Sequence, residues 1–521
     1  MDYVEGDLGR VDGGRPDRDG SHQSTDRLAS GRLRPLTIRR SSERCSRKEE
    51  RGGGKLKSIV EPQRETPVLT KVDVVVAGGG PSGFAAAVAA RRNGTEVLMV
   101  DRNNYIGGLL TSLPMNAFYN YRGEQVIKGI PDELVQRLVQ KGASSGHQVD
   151  PRLGSSTATD SEMVKVVTQE MCEEAGVKLL FHTFIVGPIL EDSTIKGIIV
   201  ENKSGRQAIL GNIVIDSTGD GDIAVRSGVP FEIKERKAIQ PGTLMFKMDN
   251  VNVDKIRLAV AENPDNARTV PGHGPGAEFF LTAERFILDG FVKEINEAQK
   301  NGDLPEDYPQ SWLIIICNPR EDEVWINNAM VVNFHSTDAF DLTRAEMLGR
   351  ERIPIVVNFL KKYIPGFADA KLTHNHGIIG VRESRRIIGD YMLTAEDIME
   401  NRTFDDGIMV TPWRPATGHN PDGKFADDTY PKEGLKGCEL PYRCLLPKKI
   451  ENLLIAGRCV STSGLAQNAI RNMPPCMAIG QAAGTAAAIA VKEGISSREV
   501  DPSKLRTILV EQGAFLLSYK R

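Results

Sequence analysis

The chain has 521 residues, with 66 Lys and Arg against 69 Asp and Glu and a net charge of −3. That length allows a large core and two intimately joined domains, and near-neutrality argues against gripping nucleic acid or an anionic membrane surface. Seven cysteines without a CxxC pair or regular spacing argue against a bound metal or a disulfide scaffold, and fit a reducing, cytoplasmic setting.

In chain order, residues 1–57 stand apart. They are rich in Arg, Asp, Gly and Ser and lack apolar periodicity, which predicts a disordered tail or an over-extended start. No apolar h-region is present, and the acidic start does not suit a transit peptide.

The stretch VDVVVAGGGPSGFAAAVAARRNGTEVLMVD, residues 72–101, reads as strand, glycine turn, small-residue helix and second strand. Gly78 permits a tight exit from the strand, and Gly80 lets the backbone approach a pyrophosphate. Gly83, with Ala85, Ala86 and Ala87, lets the helix lie close to the sheet. Unpaired amides at the helix start attract phosphate, and Asp101 is placed to accept from a ribose. The spacing predicts a dinucleotide site, with NAD(P) and FAD both open at this point.

Beyond it, Gly107 and Gly108 read as a loop approaching a ligand. IPDELVQRLVQ reads as a helix with Pro131 in its first turn, and a second helix is capped by Asp160 or Ser161. Residues 177–222 alternate as a β-meander leading into the buried strand GNIVIDSTG. From 229 to 430 the character changes to an inserted α+β substrate or cap domain. Strands are expected at SWLIIICN and EVWINNAMVV, with a long helix that Pro354 can kink.

Residues 431–495 are Gly- and Ala-rich again, and 496–521 form a C-terminal helical segment. Apolar runs such as AGTAAAIAV are too short and Ala-rich to span a bilayer. The strand NLLIAG and the helix opening at MPPCMAIGQAAG bring the chain back to the nucleotide fold. That helix start offers positive partial charge to a reduced flavin, which favours FAD over NAD.

These motifs, together with IGGLLTS, DSTGDGDIAVRSG and GVRESRRIIGDYMLTAEDI, resemble the FAD-dependent oxidoreductases of the glutathione-reductase-like superfamily, a group distantly related to fumarate reductase flavoproteins. The resemblance implies an α/β fold: a Rossmann-like FAD-binding domain with a β-meander, built from 70–228 and 431–495. It also implies a role for each motif. Gly78, Gly80, Pro81, Ser82 and Gly83 would hold the pyrophosphate, and Asp101 with Arg102 the adenosine end. Gly107, Gly108, Leu109 and Thr111 would line the isoalloxazine or its ribityl chain, and Val186 would offer its backbone to adenine. Thr218 and Gly219 would close the adenosine side, and Gly457 and Arg458 the ribityl side. Pro475, Cys476 and Met477 would present amides to the flavin. The chain departs from the pattern at Arg458, where relatives carry an acid, and at Gly464, where a histidine is common.

Substrate residues should come from the insert. THNHGIIGVRESRRIIGDY, residues 373–391, holds Arg382, Arg385 and Arg386 at spacings that can place two on one helix face, suited to clamping a carboxylate. His374 and His376 alternate as in a strand, so both can face one side and either can carry a proton. The bland readings are a solvated, ion-paired RESRR face and structural histidines.

The function this favours is hydride transfer between a small organic substrate and flavin N5. A carboxylate-specific ene-reductase or dehydrogenase is the alternative, and a flavin-bearing RNA-binding or RNA-modifying protein is a different class. An electron-transfer subunit lacks an iron–sulfur cysteine pattern here. Deleting residues 1–57 is expected to leave FAD content and melting temperature unchanged, read by flavin absorbance and thermal unfolding.

Overall fold

The computed structural model describes residues 59–519 apart from 113–114, 151–153, 268–276, 310, 318–321, 417 and 423–433. The tail expected at 1–57 lies outside the described residues.

Val72, Val74, Val75 and Val76 are buried on β1 (Val68–Ala77). Helix α1 (Pro81–Arg92) follows β1 after a turn of three glycines, with Pro81 in its first turn. Strand β2 (Val97–Val100) returns parallel to β1, with Val74 opposite Val97. Helices α2 (Ile130–Gln140) and α3 (Ser161–Ala175) follow, and the Asp160 side chain caps α3 by accepting from the amides of Glu162 and Met163. Strand β3 (Lys178–Leu180) pairs parallel to β2.

The alternating segment then forms the meander β4 (Phe184–Glu191), β5 (Thr194–Asn202) and β6 (Gly205–Asp216). At 12 residues, β6 is long enough to serve two neighbours. Its first half pairs antiparallel with β5, and most of its length runs parallel to β1. The sheet order is therefore β3-β2-β1-β6-β5-β4.

A second, antiparallel sheet lies within the insert. It comprises β7 (Gly242–Asp249), β8 (Ile287–Gly290), β9 (Leu313–Cys317) and β10 (Val324–Val331), followed by helix α4 (Ala339–Tyr363) and strand β11 (Lys371–Asn375). Its order is β8-β9-β10-β7-β11. Alternation divides its side chains as a period of two demands. Leu244, Phe246, Leu313, Ile315 and Ile326 join one core with residues of α4, whereas Met245, Ile314, Ile316 and Trp325 cluster with Trp312. Helix α4 begins at Ala339, where Asp338 caps it by accepting from the Asp341 amide. It continues as one helix through Pro354, which lies on its exposed side.

The chain then re-enters the first sheet. Strand β12 (Leu453–Ile455) pairs parallel with the end of β6. It is followed by α5 (Met473–Glu493) and α6 (Pro502–Glu511). Helix α5 is long and apolar enough to cross a bilayer by length and composition, but 89% of that apolar window is buried inside the fold. What buries it is α1. A Cβ on Gly480 would sit 2.0 Å from the Ser82 carbonyl oxygen, and one on Gly484 2.1 Å from that of Ala86. Two backbones this close leave no room for side chains between them. Gly484→Val is therefore expected to force the helices apart and cost about 2–5 kcal/mol, seen as a large fall in melting temperature. Gly187→Ala, whose added carbon meets nothing within 4 Å, should change little.

Candidate cofactor and active site

Backbone contacts gather the glycine motifs around the start of α1. Gly78 has a φ of +105°, and a Cβ there would lie 2.6 Å from the Ser217 carbonyl oxygen, so the Ser217–Thr218 turn runs directly beside it. At Gly83 a Cβ would lie 1.7 Å from the Gly78 oxygen, which holds the helix against the strand exit. Gly80, by contrast, faces open space, with no atom within 4 Å of its Cβ position. No side chain caps α1, and the amides of Ser82 and Gly83 bond to nothing among the described residues. The Ser82 hydroxyl donates to the Ala456 carbonyl at 3.3 Å, and a Cβ on Gly457 would meet that hydroxyl at 2.8 Å.

Asp101 is buried and ties the turn together. Its carboxylate accepts from the Gly79 amide at 2.5 Å and the Asn103 amide at 2.7 Å. Arg102 is exposed beside it. The Gly107 amide donates to the Gly79 carbonyl at 2.8 Å, and a Cβ on Gly108 would lie 3.3 Å from the Gly80 Cα. A short 3-10 turn, Gly108–Thr111, follows, with Leu109 half-buried and Thr111 buried. Val186 falls at a bulge in β4, between Ile185 and Gly187, and drops out of the pairing with β5. Thr218 donates through amide and hydroxyl to buried Asp216. Gly219 abuts the Arg458 guanidinium, which pairs with Asp220 at 2.8 Å. Burial would raise the Asp220 carboxyl, but Arg458, Ser384 and Arg385 together hold it below the usual carboxylate range.

The start of α5 differs from expectation in which group it offers. Pro475 has no amide hydrogen, and the Cys476 amide is taken by the Asn472 carbonyl at 2.9 Å. The free amide of this first turn belongs to Met473, which bonds to nothing among the described residues. Burial pushes the Cys476 thiol up to about 12, so it stays protonated and packs.

The insert divides the expected substrate residues. Residues 376–385 form no helix, so the arginines do not share a helix face. Arg385 pairs with Asp222 at 2.5 Å and lies over the Phe231 ring. Arg386 pairs with Glu383 and Glu232. Arg382 instead donates to the Pro241 carbonyl and the Thr243 hydroxyl, both at 2.8 Å, and to Asn327 at 3.4 Å. His374 is exposed on β11, edge-on to Trp325.

His376 is buried and reaches the glycine loop, with Nε2 3.3 Å from the Thr111 hydroxyl. Its Nδ1 faces the Ile378 carbonyl at 2.8 Å, and since a carbonyl only accepts, Nδ1 carries the hydrogen. Burial lowers the pKa of His376, so the ring is neutral at pH 7 and its Nε2 lone pair faces Thr111. Gln240, Asn468 and Arg471 also belong to this region, as developed below. The RNMPP run that contains Arg471 reads first as a helix start, which hides the arginine.

A protein-family model described as FAD dependent oxidoreductase matches residues 73–509. The chain belongs to that family. It is an FAD-dependent oxidoreductase with FAD as cofactor. Thiamine thiazole synthase of Methanococcus vannielii is 31% identical over 195 residues, covering 36% of this chain and 70% of that protein. Digeranylgeranylglycerophospholipid reductase 1 of Methanococcoides burtonii is 26% identical over 159 residues, 28% of this chain and 37% of that protein. Among solved structures, a geranylgeranyl bacteriochlorophyll reductase-like protein from Thermoplasma acidophilum is similar with a TM-score of 0.41 and 11% identity, covering 85% of this chain and 84% of that one.

The residues present suit FAD. Open space at Gly80 next to unpaired helix-start amides suits a pyrophosphate, and the second free helix start at Met473 suits an electron-rich ring edge. His376 supplies a test of this packing that needs no substrate. Because its folded pKa lies below the unfolded value, it contributes stability fully present above about pH 6.5 and lost as pH falls toward the depressed value. The His376→Gln variant should therefore lose less melting temperature than the parent between about pH 8 and about pH 5.

Proposed function

We propose that this FAD-dependent oxidoreductase transfers a hydride between a small organic substrate and the flavin, with residues 229–430 as the cap over the ring. Bound FAD supplies the two-electron chemistry at its isoalloxazine. Gly78, Gly80, Pro81, Ser82 and Gly83 hold the pyrophosphate. Asp101 accepts from the ribose, and Val186, freed by its bulge, meets the adenine. Thr218 with Gly219, and Gly457 with Ser82, wall the passage between the two ends. Gly107 to Thr111 lie along the ring, and the Met473 amide takes the place expected of Pro475, Cys476 and Met477.

The observation that carries the reading is the contact between His376 and Thr111. It brings a cap residue onto the loop assigned to the ring, so substrate held by the cap meets the flavin. A neutral Nε2 can accept a proton there, and the Thr111 hydroxyl, 3.3 Å away, has a single hydrogen that it donates either to Nε2 or to the Gly108 carbonyl at 2.8 Å. The carboxylate alternative is favoured by Arg382, whose guanidinium has no carboxylate partner among the described residues.

The test is anaerobic reduction of the bound flavin by a panel of metabolites, with NADH and NADPH as controls. Purified protein is expected to be yellow, and one small metabolite should bleach it. His376→Gln should slow that step by about 10–100-fold and remove its acid limb. A colourless protein that also fails to take up added FAD would overturn the reading.

A further inference from the structure

Six cations meet four carboxylates between the cap and the start of α5. Lys234 and Arg386 share buried Glu383 at 2.9 and 3.2 Å, and Arg386 also takes Glu232 at 3.1 Å. Arg385 pairs with Asp222, and Arg458 with Asp220. Arg382 and Arg471 are left without a carboxylate among the described residues. Arg382 donates only to neutral oxygens, and Arg471 donates through Nε and Nη2 to Asn468 Oδ1 at 3.1 and 2.8 Å. Burial depresses both guanidinium groups, and the Arg471 charge depresses Arg382 further. Arginine starts so high that both remain charged at neutral pH. Desolvated charge without a paired counter-ion is costly, and among the described residues only the more distant Glu383 charge favours the charged form of Arg471.

Further polar groups on the neighbouring residues lack partners. Gln240 is 3% exposed, yet neither its Oε1 nor its Nε2 has a partner. Asn472 Nδ2 is buried and unpartnered, on the residue that begins α5. Asn468 Oδ1, Gln240 Oε1 and Arg471 Nη2 lie 2.8, 2.9 and 3.3 Å from the Cβ position of Gly418, so they converge on one spot.

We propose that Arg382 and Arg471, with the side-chain amides of Gln240 and Asn472, form a subsite for a substrate carboxylate. The proposal rests on the flavin reading above only for its location, since Asn472 adjoins the Met473 amide assigned to the ring. A carboxylate accepts from the guanidinium hydrogens that Asn468 and the neutral oxygens leave free, and it supplies the missing negative charge. The amide hydrogens of Gln240 and Asn472 can donate to its oxygens.

The experiment is calorimetric titration of the full-length FAD-loaded protein with malonate, with malonamide as the uncharged control and inorganic phosphate as a rival anion. Malonate is expected to bind and malonamide not. Arg382→Gln and Arg471→Gln should each weaken malonate by about tenfold or more, with Arg382→Lys and Arg471→Lys recovering part of the loss. Equal binding of malonamide, tighter binding of phosphate, or unchanged malonate affinity in both Gln variants overturns the proposal. If circular dichroism shows those variants unfolded, Gln240→Leu decides. It keeps every charge and should weaken malonate about threefold, and unchanged affinity overturns the proposal. The flavin reading fails separately, as a colourless parent protein that takes up no FAD, while the calorimetric signal for malonate stands or falls by itself.

Discussion

The approach of α1 to α5 at backbone distance is the constraint on which the rest depends. Residues some 400 positions apart in sequence meet where Gly480 and Gly484 face the Ser82 and Ala86 carbonyls. Because Ser82 lies in the first turn of α1 and Asn472 is the cap of α5, the contact also sets where the two free helix starts lie relative to each other. One bears on phosphates and the other on the ring. Small residues on both helices make the contact possible, and the loss of side-chain packing there is offset by dispersion between closely spaced backbones. This also explains why an apolar 21-residue helix belongs in the interior: α1 and the parallel sheet supply the surface it would otherwise seek in lipid.

Around that axis, the turns are held by backbone contacts more than by charge. Asp101 accepts from two amides, and Asp216 accepts from the Thr218 amide and hydroxyl and from the amides of Ile223 and Ala224. Burial raises the pKa of Asp216, and those donors oppose the shift. Charges are concentrated instead at the border with the insert, where Arg458, Arg385 and Arg386 are each neutralised. Pairing of this kind fixes the geometry of the border more than it stabilises the fold, because desolvation consumes most of the Coulombic gain.

The acid expected in the Ala456-Gly457-Arg458 turn illustrates the difference between position in sequence and position in space. This chain carries arginine at 458, and an acid does stand beside it, as Asp220 from the turn after β6. The arginine run in 382–386 shows the same thing. Three guanidinium groups close in sequence have different partners, because an irregular loop followed by a two-residue strand at Arg386–Ile387 sends successive side chains to different neighbours.

The sequence by itself determined the first strand, the glycine turn and the helix after it, the meander, the return of the C-terminal segment and the choice of FAD. Each rests on short-range rules: period-two or period-3.6 burial, and glycine where a backbone must come close. Gly78 and Gly83 were legible because only glycine tolerates such contacts. Tertiary structure alone decided the rest. It placed buried His376 against Thr111 while leaving His374 exposed, and it left Arg382 and Arg471 without a carboxylate partner among the described residues. It also moved the free amide of α5 from the expected Pro475, Cys476 and Met477 to Met473. Local patterns report which face a residue occupies but not what arrives opposite it. A buried charge is defined by its partner, and the partner comes from elsewhere in the chain.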